Sequence, residues 1–345
     1  MGPGSRSRAA AALASVLALV AVGCGGGSST STANHQTATA GGSHLLPVPF
    51  TVAARYSAAS LGLNEAAGLA IGPDGNLYVS DNSQRVTVIS PAGRVLRRWG
   101  KPGSGPGEFR FVSDTPDSTV ASGAIAVGPN GMVYVSDNGN GRVEVFTPHG
   151  RFVRQFGSPG TLKGQFVYPY MLVVDSAGSV YVLDDQQTGV VQKFSPAGKF
   201  VWRIGGVASS DPDLASFHHM GSIDSHGRLV MTSDDTGRVI YVDAGGHKVD
   251  SFNANRMPFP PGASPCDATV DSVGNTYVTG CAGGSCPTAS CANVLVFDHA
   301  HRMIAAYPSA RLRLLSAPLF GPNGEAFALG QDRSLIRLRV TVPGG

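Results

Sequence analysis

The chain has 345 residues, enough for one large domain or two ordinary ones. Gly is plentiful at 46, Pro numbers 23, and charged residues are only 14%; with no long helical periodicity, this composition points to an all-β architecture. Formal net charge is +3, and two of the positive charges, Arg6 and Arg8, stand in a segment read below as removable; the nearly neutral remainder gives no electrostatic reason to expect nucleic-acid binding.

In chain order, the first element is a targeting segment. Arg6 and Arg8 precede an apolar run from Ala9 to Val22, which is short for a transmembrane helix and has the length of a signal-peptide core. It ends in Ala21-Val22-Gly23-Cys24, which resembles the lipobox of bacterial lipoproteins, with Ala21 where Leu is usual. The resemblance implies a signal peptide over 1–23 and lipidation at Cys24; an ordinary secretory signal with an incidental cysteine is the alternative. Residues 24–46 are rich in Gly, Ser and Thr with little to bury, and read as a flexible tether. As a random coil of about 20 residues it spans roughly 25 Å. The expected location is the extracytoplasmic side of the cell membrane, held by lipid alone.

From residue 47 to 345 the chain repeats. GLAIGPDGNLYVSDNSQRVTVISPAGRVLRRWG begins at Gly68, and comparable stretches begin at Gly123, Tyr170 and Gly221. Each reads as four short strands: an apolar strand, a Gly turn, a strand like Leu77-Tyr78-Val79-Ser80-Asp81, a polar loop, a third strand, a Pro/Gly turn and a fourth. The first-turn glycines are Gly75, Gly131, Gly178, Gly227, Gly274 and Gly324, where a tight turn requires positive φ. Their spacing is 47 to 56 residues, the longest interval carrying an insertion within Phe111 to Ser122. A period of this size with four strands per unit predicts the blades of a β-propeller, six in number.

The YVSDN runs at Tyr78 and Tyr134 and the inter-blade pattern Gly157…Gly164-Gln165-Phe166…Pro169 resemble NHL repeats, most strongly in blades one to three. The resemblance implies a propeller, in agreement with the strand count. The sixth unit stops one strand short, and Phe50 to Tyr56 alternates like a strand. It is expected to supply the outer strand of blade six and so close the ring; belonging to the tether is the alternative.

Four cysteines remain beyond Cys24: Cys266, Cys281, Cys286 and Cys291. In an exported domain an even set favours disulfides over a metal cluster. A two-residue turn at Val273-Gly274 would set Cys266 opposite Cys281, leaving Cys286 to pair with Cys291.

Asp81, Asp137, Asp184 and Asp234 end the second strands, with Arg85, Arg142 and Arg238 following. Their recurrence favours a structural role, accepting loop backbone hydrogen bonds, over a ring of cation ligands. Function is sought where blades depart from their consensus. Glu65, Tyr168, Tyr170, His218 and His219 lie in loops leading into innermost strands and are expected to gather at one mouth of the ring as a ligand-binding surface. Simple filling of the central channel is the alternative.

The histidines do not suggest a metal centre. Adjacent residues of a strand point opposite ways, and propellers resembling peptide-amidating lyases carry such histidines on several blades, not one. Nor do Glu65 and its surroundings reproduce the Glu, Asn and Asp set of gluconolactonase-like propellers. No nucleophile elbow, HExxH or phosphate loop is present. The leading expectation is therefore a monomeric binding or sensor module without catalytic residues, metal or cofactor. It is similar to the NHL sensor domains of bacterial receptor kinases and would recognise a peptide, a glycan or an extracellular protein. A metal-dependent hydrolase or lyase of lactonase type stands as the alternative.

Overall fold

A computed structural model describes residues 49–112, 123–185, 189–206, 209–215, 217, 219–233, 235–254, 264–280, 292–308 and 314–341. Contacts divide the chain into Met1–His44 and Leu45–Gly345; the first unit, with Cys24, lies outside the described residues. The second forms six four-stranded antiparallel sheets, each a blade.

The innermost strands are Ala66–Ile71, Ile125–Val127, Pro169–Val174, His219–Ile223, Pro265–Val270 and Leu319–Phe320. All six first-turn glycines have φ between 73° and 92°, a region that costs residues with a Cβ. Blades five and six keep all four strands, although the innermost strand of blade six has only two residues.

Why the second strands are the most deeply buried follows from where the core sits. Six hydrophobic clusters each join two neighbouring blades. One packs Tyr78 and Val88 of blade one against Ile125, Val135 and Phe146 of blade two. Another packs Tyr134 of blade two against Leu172 and Val182 of blade three. A second strand is covered on both faces, so Leu77–Asp81 and Val133–Asp137 are buried at every position. Outer strands alternate instead, as Phe152–Phe156 does, because one face meets solvent. The core is thus a ring of interfaces around an open centre.

Phe50–Tyr56 pairs antiparallel with Leu335–Val340, the third strand of blade six. The sixth sheet therefore contains both ends of the repeat region. Phe50 is 1% exposed and stacks on Tyr307 of blade five at 4.6 Å between ring centres. The last interface, between blades six and one, joins Phe327, Leu329 and Leu335 to Ala66, Leu77 and Val79.

The two-residue turn expected in the blade-five hairpin does not form. The Asp271 carboxylate accepts from the amides of Val273 and Asn275, the amide of Gly274 donates to Asp271 O, and Val270 faces Thr276. The turn is therefore longer than two residues, and Pro265 faces Gly280 while Asp267 faces Thr279. Cys266 is the extra residue of a β-bulge, directly opposite no residue. Cys266 is disulfide-bonded, and Cys281, Cys286 and Cys291 lie outside the described residues.

Candidate functional site: the mouth and channel of the ring

The recurrent aspartates shape the mouth. Asp81 accepts from the amide of Asn64 at 3.3 Å and from its own loop at Ser83, 2.8 Å. Asp137 accepts from Arg110 N at 2.7 Å and Asp184 from Tyr168 N at 2.6 Å. Each buried carboxylate thus pins the loop that delivers the chain into its own innermost strand. In blade two Arg142 completes the brace: it pairs with Asp137 at 2.7 Å and donates to the carbonyls of Gly105 and Glu108, both at 2.9 Å. These are structural duties, as the repetition suggested; Asp234 lies outside the described residues.

Four innermost strands carry a β-bulge, between Ala66 and Gly68, Pro169 and Met171, Met220 and Ser222, and Pro265 and Asp267. A bulge inserts an unpaired residue and re-aims the chain around it. Three of the four extra residues, Ala67, Tyr170 and Gly221, line a cavity of about 220 Å³ at the mouth end of the channel. A second cavity of about 300 Å³ continues toward the far end. The two share Leu69, Ile125, Leu172, Leu319 and Gly221, so an apolar collar joins them. Gly221 is required there: a Cβ would lie 1.5 Å from the carbonyl oxygen of Ala268 on the neighbouring blade.

Of the residues singled out from the sequence, Tyr170 is on the cavity wall. Tyr168 stacks on it at 5.9 Å between ring centres, but its hydroxyl donates to Val112 O at 2.9 Å, tying two inter-blade loops together. Glu65 immediately precedes the blade-one strand with φ 51°, uncommon for a residue with a side chain. His219 pairs with Thr232, and its Nε2 lies 3.6 Å from Cys266 Sγ across the blade-four to blade-five interface. His218 and residues 113–122 of the insertion lie outside the described residues. Among the described residues no three His, Cys, Asp or Glu side chains are placed together to hold a metal.

One channel residue escaped the sequence reading. Asp267 lines the mouth-side cavity and accepts from the amide of Ala317, in the chain entering blade six, at 3.0 Å. Burial pushes its carboxyl above the ordinary range, against the pull of the Ala317 and Ala268 amides. Strand pairing aligns Asp267 with Gly68 and Met171, uncharged residues opposite Ser80 and Leu183, a departure visible only once the register is known.

Comparison with known proteins fits this architecture. No family model matches the chain. Protein brain tumor of Drosophila melanogaster is 26% identical over 178 residues, 49% of this chain and 16% of that protein. NHL repeat-containing protein 3 of Homo sapiens is 24% identical over 185 residues, 49% of each. Peptidyl-glycine alpha-amidating monooxygenase of Mus musculus is 31% identical over 139 residues, 37% of this chain and 13% of that protein. The matches thus span about half of one relative and a sixth or less of the other two. Among solved structures, a gluconolactonase from Xanthomonas campestris superposes with a TM-score of 0.56 at 15% identity, covering 85% of this chain and 97% of that one. A streptogramin B lyase does so at 0.53 and 13%, covering 85% and 98%. At such identities the superpositions speak to fold alone. The homologues of this chain are NHL repeat-containing proteins, and its fold is a six-bladed β-propeller.

Proposed function

We propose that the protein is a binding propeller displayed on the outer side of the cell membrane, anchored by lipid on Cys24 through the 24–46 tether. Its mouth recognises a peptide, a glycan or a segment of an extracellular protein. The observation that carries this reading is the open cavity at the mouth, walled by strands from all six blades and headed by the stacked Tyr168–Tyr170 pair. Concave, largely apolar sites with a few polar groups are where ligands bind, and tyrosine offers a broad amphipathic surface to peptides and sugars. The pinned loops add rigidity, which lowers the entropic cost of binding. The repeat relatives and the NHL-like blades are consistent with a protein- or peptide-binding role.

The test is Tyr170→Ala, with folding checked by circular dichroism, in a screen of extracellular peptides and glycans. Loss of a ligand that the native protein captures supports the reading, and unchanged capture moves the site elsewhere. Bound calcium or zinc at unit stoichiometry together with lactone turnover would instead establish the lactonase-type alternative.

A further inference from the structure

Among the described residues fifteen line the mouth-side cavity, and Asp267 is the only acidic or basic one of them. The others are small, aliphatic, methionine, tyrosine and serine residues, and the adjoining cavity adds no charged residue. Asp267 forms no ion pair among the described residues. A carboxylate drawn out of water in a largely apolar channel is costly until a positive charge meets it.

Stapling accounts for one oxygen of Asp267, since Oδ2 holds the chain entering blade six through Ala317 N, but not for a carboxylate on the channel wall. In blades one to three the loop-pinning carboxylate sits on the second strand, at most 1% exposed and away from the channel. At the matching end of blade five the second strand has Gly280 instead, and the carboxylate stands on the channel wall.

We propose that this cavity receives a primary ammonium group, paired with the Asp267 carboxylate. The inference deepens the binding reading and rests on it, naming the chemistry of the group that enters the mouth. Three features select an ammonium. A metal ion needs three or more protein ligands, and the described residues offer one carboxylate here. A guanidinium favours a carboxylate with both oxygens free for its planar fork, whereas Asp267 Oδ2 already accepts from Ala317 N. An ammonium is a point charge that needs only one oxygen. The approach is apolar: Leu69, Met171, Leu172 and Met220 line it and suit an alkyl stem, with the Tyr170 ring beside them. About 220 Å³ matches roughly seven waters at ~30 Å³ each, room for one side chain and not for a folded element.

The experiment titrates the full native chain with N-acetyl-lysine N-methylamide, its uncharged counterpart N-acetyl-norleucine N-methylamide, and n-butylamine, followed by calorimetry. The lysine probe is expected to bind at least tenfold more tightly than the norleucine probe, and Asp267→Asn to abolish that preference. Asn keeps an oxygen for the Ala317 amide, so the variant should melt near the native temperature. If Asp267→Asn fails to fold, the contrast between probes on the native protein still decides. Equal binding of the charged and uncharged probes, no binding of either, or a preference that survives Asp267→Asn overturns the proposal. Butylamine binding as tightly as the lysine probe assigns the pocket to free amines, and much weaker binding assigns it to a lysine side chain; both uphold the ammonium. The two readings fail separately. Capture of lysine and norleucine peptides alike, lost in Tyr170→Ala, leaves the mouth and removes the ammonium; amine binding with no peptide or glycan captured does the reverse.

Discussion

Glu144 gives the sharpest test of how the propeller handles buried charge. It lies mid-strand in Arg142–Phe146 of blade two, fully buried, with Gly107 N donating to both carboxylate oxygens at 3.2 Å. The Arg142 guanidinium stands 3.3 Å away but also pairs with Asp137 at 2.7 Å, so two carboxylates share one cation. Desolvation outweighs the pull of Arg142 and Gly107 and pushes the Glu144 carboxyl from 4.5 up to about 7. The folded state therefore holds this proton more tightly than the unfolded chain. Its stabilising contribution is complete below pH ~4.5 and is lost as pH rises to ~7, by at most about 3 kcal/mol at ~1.4 kcal/mol per unit. Glu144→Gln removes the titration while keeping an oxygen for Gly107 N, and Arg142 retains Asp137, Gln155 and two carbonyls. Urea unfolding of both proteins at a series of pH values should show equal stability near pH 4.5 and a Gln variant more stable by up to about 3 kcal/mol near pH 7.5. A difference that stays flat with pH, or native protein gaining on the variant as pH rises, refutes the reasoning.

Phe50→Ala removes the ring that seats the closing strand on Tyr307 and should cost about 3–5 kcal/mol in chemical denaturation, with aggregation as the exposed blade edge pairs between molecules. Gly221→Ala forces a methyl into the Ala268 carbonyl, so a cooperative thermal transition should be lost or lowered by well over ten degrees, whereas Gly227→Ala, with no atom within 4 Å of its added Cβ, should show only the cost of its positive φ. Cys24→Ser should move the protein from the membrane to the soluble fraction of cells, because two or more acyl chains anchor stably and an unmodified tether does not; retention in the membrane would remove the lipid from the account.

The parts of the architecture readable from the sequence were those that repetition exposes. The glycines of the first turns, the apolar second strands and the orphan strand Phe50–Tyr56 each answer a local demand that recurs around the ring, so six copies reinforce one reading. Asp137 and Arg142 were likewise legible as structural because their pattern recurs. The channel was not, because its walls are set by bulges that shift register by one residue. Tyr170 could be singled out because an aromatic residue breaks the consensus. Asp267 could not, because its loop lacks the YVSDN landmark and its alignment emerges only once Pro265 is seen opposite Gly280. The blade-five hairpin misled for the same reason: Gly274 announces a turn, but the Asp271 side chain, gripping two amides, sets its length.

The pairing of Phe50 with Val340 has a consequence for how such a chain can be made. The two residues are 290 positions apart in sequence, yet they share the hydrogen bonds of one sheet, and both pack into the blade-five to blade-six interface. A chain emerging from its amino end can stack blades one to five in order, but every such intermediate leaves Phe50–Tyr56 with no partner strand until Leu335–Val340 appears. Closing a loop of that length adds only a logarithmic entropy cost, so the delay is one of timing more than of stability. A protein built this way closes its ring as a single late event, however early its other blades form.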